Sequence, residues 1–135
     1  MPEWQDDPSI SNNERLLRRV HPSQIKPDPE SGEARPSSAA FKSSTGLTSV
    51  SIASLTTPDA VLVGYEKHSL VEFEAAIARS AGCIVVRAPE TDNPAHANVI
   101  GTGPGGRVKN SEAKTIANRA QWVVLRPPWS QGNKT

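Results

Sequence analysis

Residues 35–58, RPSSAAFKSSTGLTSVSIASLTTP, constrain the fold more than any other stretch of this chain. Fourteen of the twenty-four are Ser, Thr or Ala. Phe41, Leu47, Val50, Ile52 and Leu55 nevertheless recur through them, so this polar ribbon has apolar side chains to bury and must be ordered. Small hydroxyl side chains let a segment pass close to another backbone or a ligand, and each makes local hydrogen bonds. SSAAF and GLTSVSIASL predict two extended pieces separated by a turn at Gly46. In the second piece Leu47, Ser49, Ser51 and Ala53 share one face, and Thr48, Val50, Ile52 and Ser54 the other. Such imperfect alternation suits a strand buried on one face and partly covered on the other.

The flanking segments supply the remaining elements. RLLRRVH (15–21) reads as a short helix or a strand, and Pro22 favours an extended end at His21. KPDPESGEARP is a turn-rich loop. Thr57-Pro58-Asp59 opens a helical turn, with Thr57 as N-cap and Pro58 in the first helical position. Ser69 and Glu72 have the spacing of a capping box, and Leu70, Phe73, Ile77 and Ala81 form an apolar stripe. Together they predict a helix over 69–82, stopped by Gly82. CIVVR (83–87) is a buried-strand candidate, and HANVI (96–100) leads into GTGPGGR. Asn110 or Ser111 is placed to cap a second helix running to about Ala120, and QWVVL (121–125) is a last strand. The predicted class is α+β: a small mixed or mainly antiparallel sheet with two main helices.

A chain of 135 residues is one domain's worth. The expected organisation is a flexible acidic arm over 1–14, a single domain over 15–126 and a flexible tail over 127–135. The arm holds Glu3, Asp6, Asp7 and Glu14 and no basic side chain. Trp4 on the arm and Trp129 on the tail are candidates to anchor a partner protein. A formal charge of +1 gives no general attraction to nucleic acid or anionic lipid. No apolar run approaches the ~20 residues of a membrane span, and the N-terminal stretch lacks the basic and apolar regions of a signal peptide. The single Cys excludes an internal disulfide and fits a reducing compartment. The expectation is a soluble, cytoplasmic protein.

GTGPGG (101–106) matches G-x-G-x-x-G, but a dinucleotide fingerprint needs its helix to begin at the glycines. Here Pro104 interrupts the loop and the helix starts later, so a tight turn is expected. His21, His68 and His96 are too scattered for a metal motif, and Cys83 between apolar neighbours reads as an inert core thiol. No catalytic residue, metal or cofactor is assigned. Two constellations stand out as ligand-binding candidates. One joins Arg18, Arg19 and His21 at the end of one strand to Ser37 and Ser38 in the next extended segment. The other is Asn93-Pro94-Ala95-His96-Ala97-Asn98, in which His96 faces either a cleft or, in its ordinary structural role, a backbone partner.

RLLRRVHP, RPSSAAFK, LTSVSIASLTTP and NPAHANVIG resemble the recurring blocks of an uncharacterised group of small bacterial proteins, over most of residues 15–122. That resemblance implies no activity; it suggests a bacterial setting of defence type. A weaker likeness is to ADP-ribosyltransferase-like folds, which place an Arg or His on an early strand and a Ser/Thr-rich strand after it, lining a nicotinamide cofactor cleft. It implies such positions for Arg19 or His21 and for Ser37 and Ser38. The late catalytic Glu of that pattern has no counterpart before Trp122, because Glu112 falls on a predicted helix. The functional expectation is a small accessory or binding protein that acts through protein–protein contacts. The alternative is a nucleotide- or NAD-handling domain using Arg19, His21, Ser37, Ser38 and His96. Convergence of those side chains on one pocket would favour the second, and an exposed apolar patch or docked arms the first.

Overall fold

The computed structural model describes residues 4–43 and 46–129. In chain order the elements are β1 Arg15–Val20, β2 Ile25–Pro27, β3 Ala34–Pro36, β4 Thr48–Ile52, α1 Pro58–Val61, β5 Ser69–Glu74, α2 Ala75–Ser80, β6 Ile84–Arg87, β7 His96–Ile100, α3 Asn110–Arg119 and β8 Gln121–Val124. Six strands form one sheet in the order β6-β7-β4-β1-β5-β8. Every neighbouring pair in it is antiparallel. β2 and β3 make a separate antiparallel pair. This is the expected α+β class with an antiparallel sheet. Among the described residues no helix is long and apolar enough to cross a membrane.

β1 lies inside the sheet, and its alternating side chains enter two cores. Leu16 and Val20 join Val50, Ile52, Val71, Phe73, Val85 and Val99 on one face. Leu17 joins Val61, Leu62 and Leu70 on the other. α2, α3 and a 3-10 turn at Ser38–Phe41 cover the first face, and α1 covers the second. Both covering helices present alanines inward, Ala75 and Ala78 from α2 and Ala113 and Ala117 from α3, beside Ile116. Phe41 and Phe73 meet edge to face at 5.8 Å in the middle of the larger core.

Three expectations are corrected. Residues 69–74 are a strand, and the helix begins only at Ala75. β5 is sandwiched between β1 and β8, so Leu70 enters one core while Val71 and Phe73 enter the other. Ser69 does not cap a helix; its Oγ accepts the Arg126 N–H at 2.9 Å. Glu72 accepts from Arg15 of the neighbouring strand at 3.1 Å. Gly82, with φ of +106°, does follow the helix as expected.

The SSAAF segment is a 3-10 turn instead of an extended piece. Its carbonyls are taken from the side. Arg18 donates from Nε to the Ala40 carbonyl at 2.8 Å and from Nη1 to the Ser49 carbonyl at 2.8 Å. Thr48 Oγ1 donates to the Phe41 carbonyl at 2.9 Å. Burial, and then the neighbouring Arg19, pull the Arg18 guanidinium down to about 10, still far above neutrality. It is therefore a half-buried cation whose donors are met by backbone carbonyls.

The N-terminal segment is the third correction, since residues 4–14 pack on the body. Ile10 is buried in the larger core. Asp7 N–H donates to the Val85 carbonyl at 2.9 Å, and Val85 N–H donates to Asp6 Oδ1 at 2.9 Å. Asp6 also takes Arg79 Nε at 3.0 Å. Of the acids that suggested a solvated arm, Asp6 accepts from an edge strand and a helix, Asp7 from Ser9 and Glu14 from Ser54. Residues 1–3 of the arm and 130–135 of the tail lie outside the described residues. Trp129 is half-buried, and its N–H donates to the Arg126 carbonyl at 3.1 Å. α3 starts at Asn110, with Lys109 in the capping position expected for Asn110 or Ser111.

Candidate functional site

The five ligand-binding candidates are divided among separate places. Arg19 and His96 line a cleft of about 40 Å³ together with Asn93, far below the roughly 300 Å³ at which small-molecule pockets begin. His96 Nδ1 lies 2.9 Å from the Ala88 carbonyl, the ordinary backbone role for a half-buried histidine. His21 is exposed; its Nδ1 accepts the Ser23 N–H at 3.1 Å and caps the 3-10 turn at Pro22–Gln24. Ser37 and Ser38 follow β3 and line a different cleft with Lys26, Arg35 and Lys114. No single pocket collects the set.

Arg19 instead builds an aromatic corner that the sequence reading missed. From β1 it points to the α1 side, where Nη1 donates to the Val61 carbonyl at 2.8 Å. Its guanidinium carbon sits 3.8 Å from the centroid of the Tyr65 ring, a cation–π contact. Tyr65 meets His68 edge to face at 5.1 Å, and His68 meets His21 at 5.2 Å. The turn that presents Tyr65 is closed by Tyr65 N–H to the Leu62 carbonyl at 2.9 Å, and Gly64 supplies the positive φ of +80°. Burial, then the charges of His21 and Arg19, hold His68 below its usual value, so it is neutral at physiological pH. Three exposed apolar side chains flank α1 in the chain: Leu55 at 45%, Val63 at 74% and the corner's own Tyr65 at 39%. The available sequence signal was the single Tyr, three residues before a His.

The glycine loop is occupied from within. Gly101 N–H donates to the Gly106 carbonyl at 2.8 Å and Gly103 N–H to the Arg107 carbonyl at 2.9 Å, which closes a tight hairpin. A Cβ at Gly101 would collide with the Val108 Cα and the Arg107 carbonyl, so the close approach requires glycine. The donors a phosphate would seek are taken by Glu112. That carboxylate accepts the Lys109 N–H at 2.8 Å, the Thr102 N–H at 3.2 Å and the Thr102 hydroxyl. Burial opposes its ionisation, but the bonds from Thr102 and Lys109 outweigh it and hold the carboxyl below its usual value. Cys83 lies nearby. Burial, and then Glu112, push its thiol up to about 12, which makes it inert near neutrality. Among the described residues no group of three or more His, Cys, Asp or Glu is placed to hold a metal ion.

Glu112→Gln is expected to cost about 2 kcal/mol at neutral pH, because an amide cannot accept all of these donors. A carboxyl held low in the fold stabilises above its unfolded value, and that contribution is lost as pH falls through its folded value. The wild-type and variant stabilities should therefore converge as pH falls below 4.5, the ordinary value for this group. Urea titrations of both proteins across that range check it; a constant gap would contradict an ionised Glu112.

The fold and its sites define an α+β domain built on a six-stranded antiparallel sheet, with an aromatic corner on one face. Compared with protein-family models, with curated proteins and with solved structures, the chain matches none.

Proposed function

We propose that this chain is a cytoplasmic accessory protein of a bacterial multi-protein system, of defence type, and that it acts by binding another protein. The observation that carries the proposal is the exposed apolar surface of Leu55, Val63 and Tyr65, three side chains within one short stretch beside α1. An apolar group at 74% exposure gains by being covered, and such surfaces mark protein contacts. Arg19 fixes the Tyr65 ring before any partner arrives, which lowers the ordering cost of association. The nucleotide- or NAD-handling alternative draws no comparable support, because no single cleft collects its five residues.

A photo-crosslinking residue in place of Val63, expressed in the native host, tests the reading. One discrete adduct is expected, absent when the probe replaces Thr115 on the opposite side and lost when Leu55→Asp is added. No adduct at 63, or one indifferent to Leu55→Asp, would overturn the proposal.

A further inference from the structure

The chain carries fifteen Lys and Arg against fourteen acids, a balance that hides how the charges are distributed. Between residues 15 and 42 there are six cations and three acids. Arg15 is paired with Glu72, Arg18 is spent on backbone carbonyls and Arg19 lies on Tyr65. Lys26 and Lys42 remain without an acidic partner among the described residues, and Arg35 pairs with Asp28 at 3.0 Å. The fold brings them to the side of the sheet covered by α3 and the Ser38–Phe41 turn, beside Arg107 and Lys114.

Two open clefts meet there and share Ser38. The first, of about 260 Å³, is lined by Lys26, Arg35 and Lys114; its single carboxylate, Asp28, is held by Arg35 at 3.0 Å. The second, of about 600 Å³, is lined by Lys42 and Arg107 and by no carboxylate. Asn110, the first residue of α3, also lines it, so the positive end of that helix opens on the cleft. Lys26, Lys42, Arg107 and Lys114 are exposed, and none is paired with an acid among the described residues.

We propose that the joined clefts bind the phosphodiester backbone of a single-stranded nucleic acid. A lone phosphate is best held by convergent backbone N–H groups, and the loop that has them spends them on Glu112. What remains is a track of separate cations on different elements, the arrangement that suits a repeating anion. Neutral donors from Ser37 and Ser38 lie along it and position phosphates without reading sequence. An aromatic ring packs one residue from Arg107. Trp4 packs against Gly106, where an added Cβ would lie 2.9 Å from the ring, and Gly106 directly precedes Arg107. Trp4 is exposed, and a stacking platform beside a basic groove favours unpaired bases. This track and the Leu55–Tyr65 surface lie on opposite faces of the sheet, so both can be occupied together.

Fluorescence anisotropy with labelled single-stranded RNA and DNA of about 20 nucleotides, and with a duplex of the same sequence, tests the proposal. Single strands are expected to bind, with affinity falling ~50-fold between about 50 and about 200 mM salt, the response for roughly four phosphate contacts. The RNA and DNA arms identify which backbone is preferred, and either preference supports the site. Lys42→Glu combined with Arg107→Glu should weaken binding at least ~10-fold and flatten the salt slope, with the melting temperature unchanged because both side chains are exposed. Trp4→Ala should weaken single strands ~5-fold or more and leave duplex binding untouched. Lys67→Glu, outside the track, should change nothing. No binding of any strand at the lower salt would overturn the proposal. So would equal binding by the cleft variant and wild type, or displacement of the strand by inorganic phosphate at matched ionic strength.

Discussion

Removal of residues 1–12 is expected to lower the melting temperature by ~10–20 °C. The segment fills part of the larger core with Ile10, whose loss alone costs about 2–4 kcal/mol. It also closes the outer edge of the sheet. β6 has a neighbour only on the β7 side, and on its free side Val85 bonds Asp6 and Asp7 through both its N–H and its carbonyl. Without the segment those groups form an unprotected strand edge, a template for pairing with a second molecule. Arg79 would lose Asp6 at 3.0 Å, Asn12 at 2.8 Å and the Asp7 carbonyl at 3.1 Å. These side chains are partly solvated, so the ion pair adds little and the burial and edge bonds dominate. A total of about 4 kcal/mol in a domain of this size corresponds to the stated shift. Thermal unfolding of the truncated and full chains gives the answer. A change under about 3 °C would mean that the segment rests on the body without stabilising it, and Ile10→Ala separates the core contribution from that of the edge.

How far the sequence revealed this fold depended on whether an element's burial is one-sided. β6, β7, β8 and α3 were legible because their apolar runs or helical periodicity match their environment, and Thr57 caps α1 as its position before Pro58 implies. Residues 69–74 misled for a physical reason. A strand buried on both faces has no alternation to display, and Leu70, Phe73 and Ile77 happen to fall at helical spacing. The N-terminal segment misled because Asp6 is satisfied by Arg79 and Val85, which lie more than seventy residues further along the chain. Within the Ser/Ala stretch, Ser38–Phe41 form a 3-10 turn and Thr48–Ile52 a strand. Its conformation, however, is set by Arg18 and Thr48 reaching its carbonyls, contacts that no local pattern encodes. The same limit applied to function. Arg19 stands out in the sequence for its charge, but its partner Tyr65 is brought to it by a loop forty-six residues later. A net charge near zero concealed the segregation of Lys26, Lys42, Arg107 and Lys114.

Phe73→Ala is expected to destabilise the protein by ~3–5 kcal/mol, a large share of what holds a domain of this size together. Phe73 is 3% exposed on β5 and meets Phe41 edge to face. Removing its ring would leave a void between the sheet and the Ser38–Phe41 turn, and that region has little means to collapse. On one side are β1 and β8, fixed by antiparallel pairing to β5. On the other, the turn is held by Arg18, a cation already desolvated and committed to the Ala40 carbonyl. The loss should therefore exceed the transfer energy of the ring and include the full cavity contribution. Glu74→Ala, at the exposed end of the same strand, should cost less than about 0.5 kcal/mol. Chemical denaturation of both variants measures the contrast. Comparable losses at the two positions, or a Phe73→Ala cost below about 1 kcal/mol, would show that Phe73 does not hold the sheet to its covering layer.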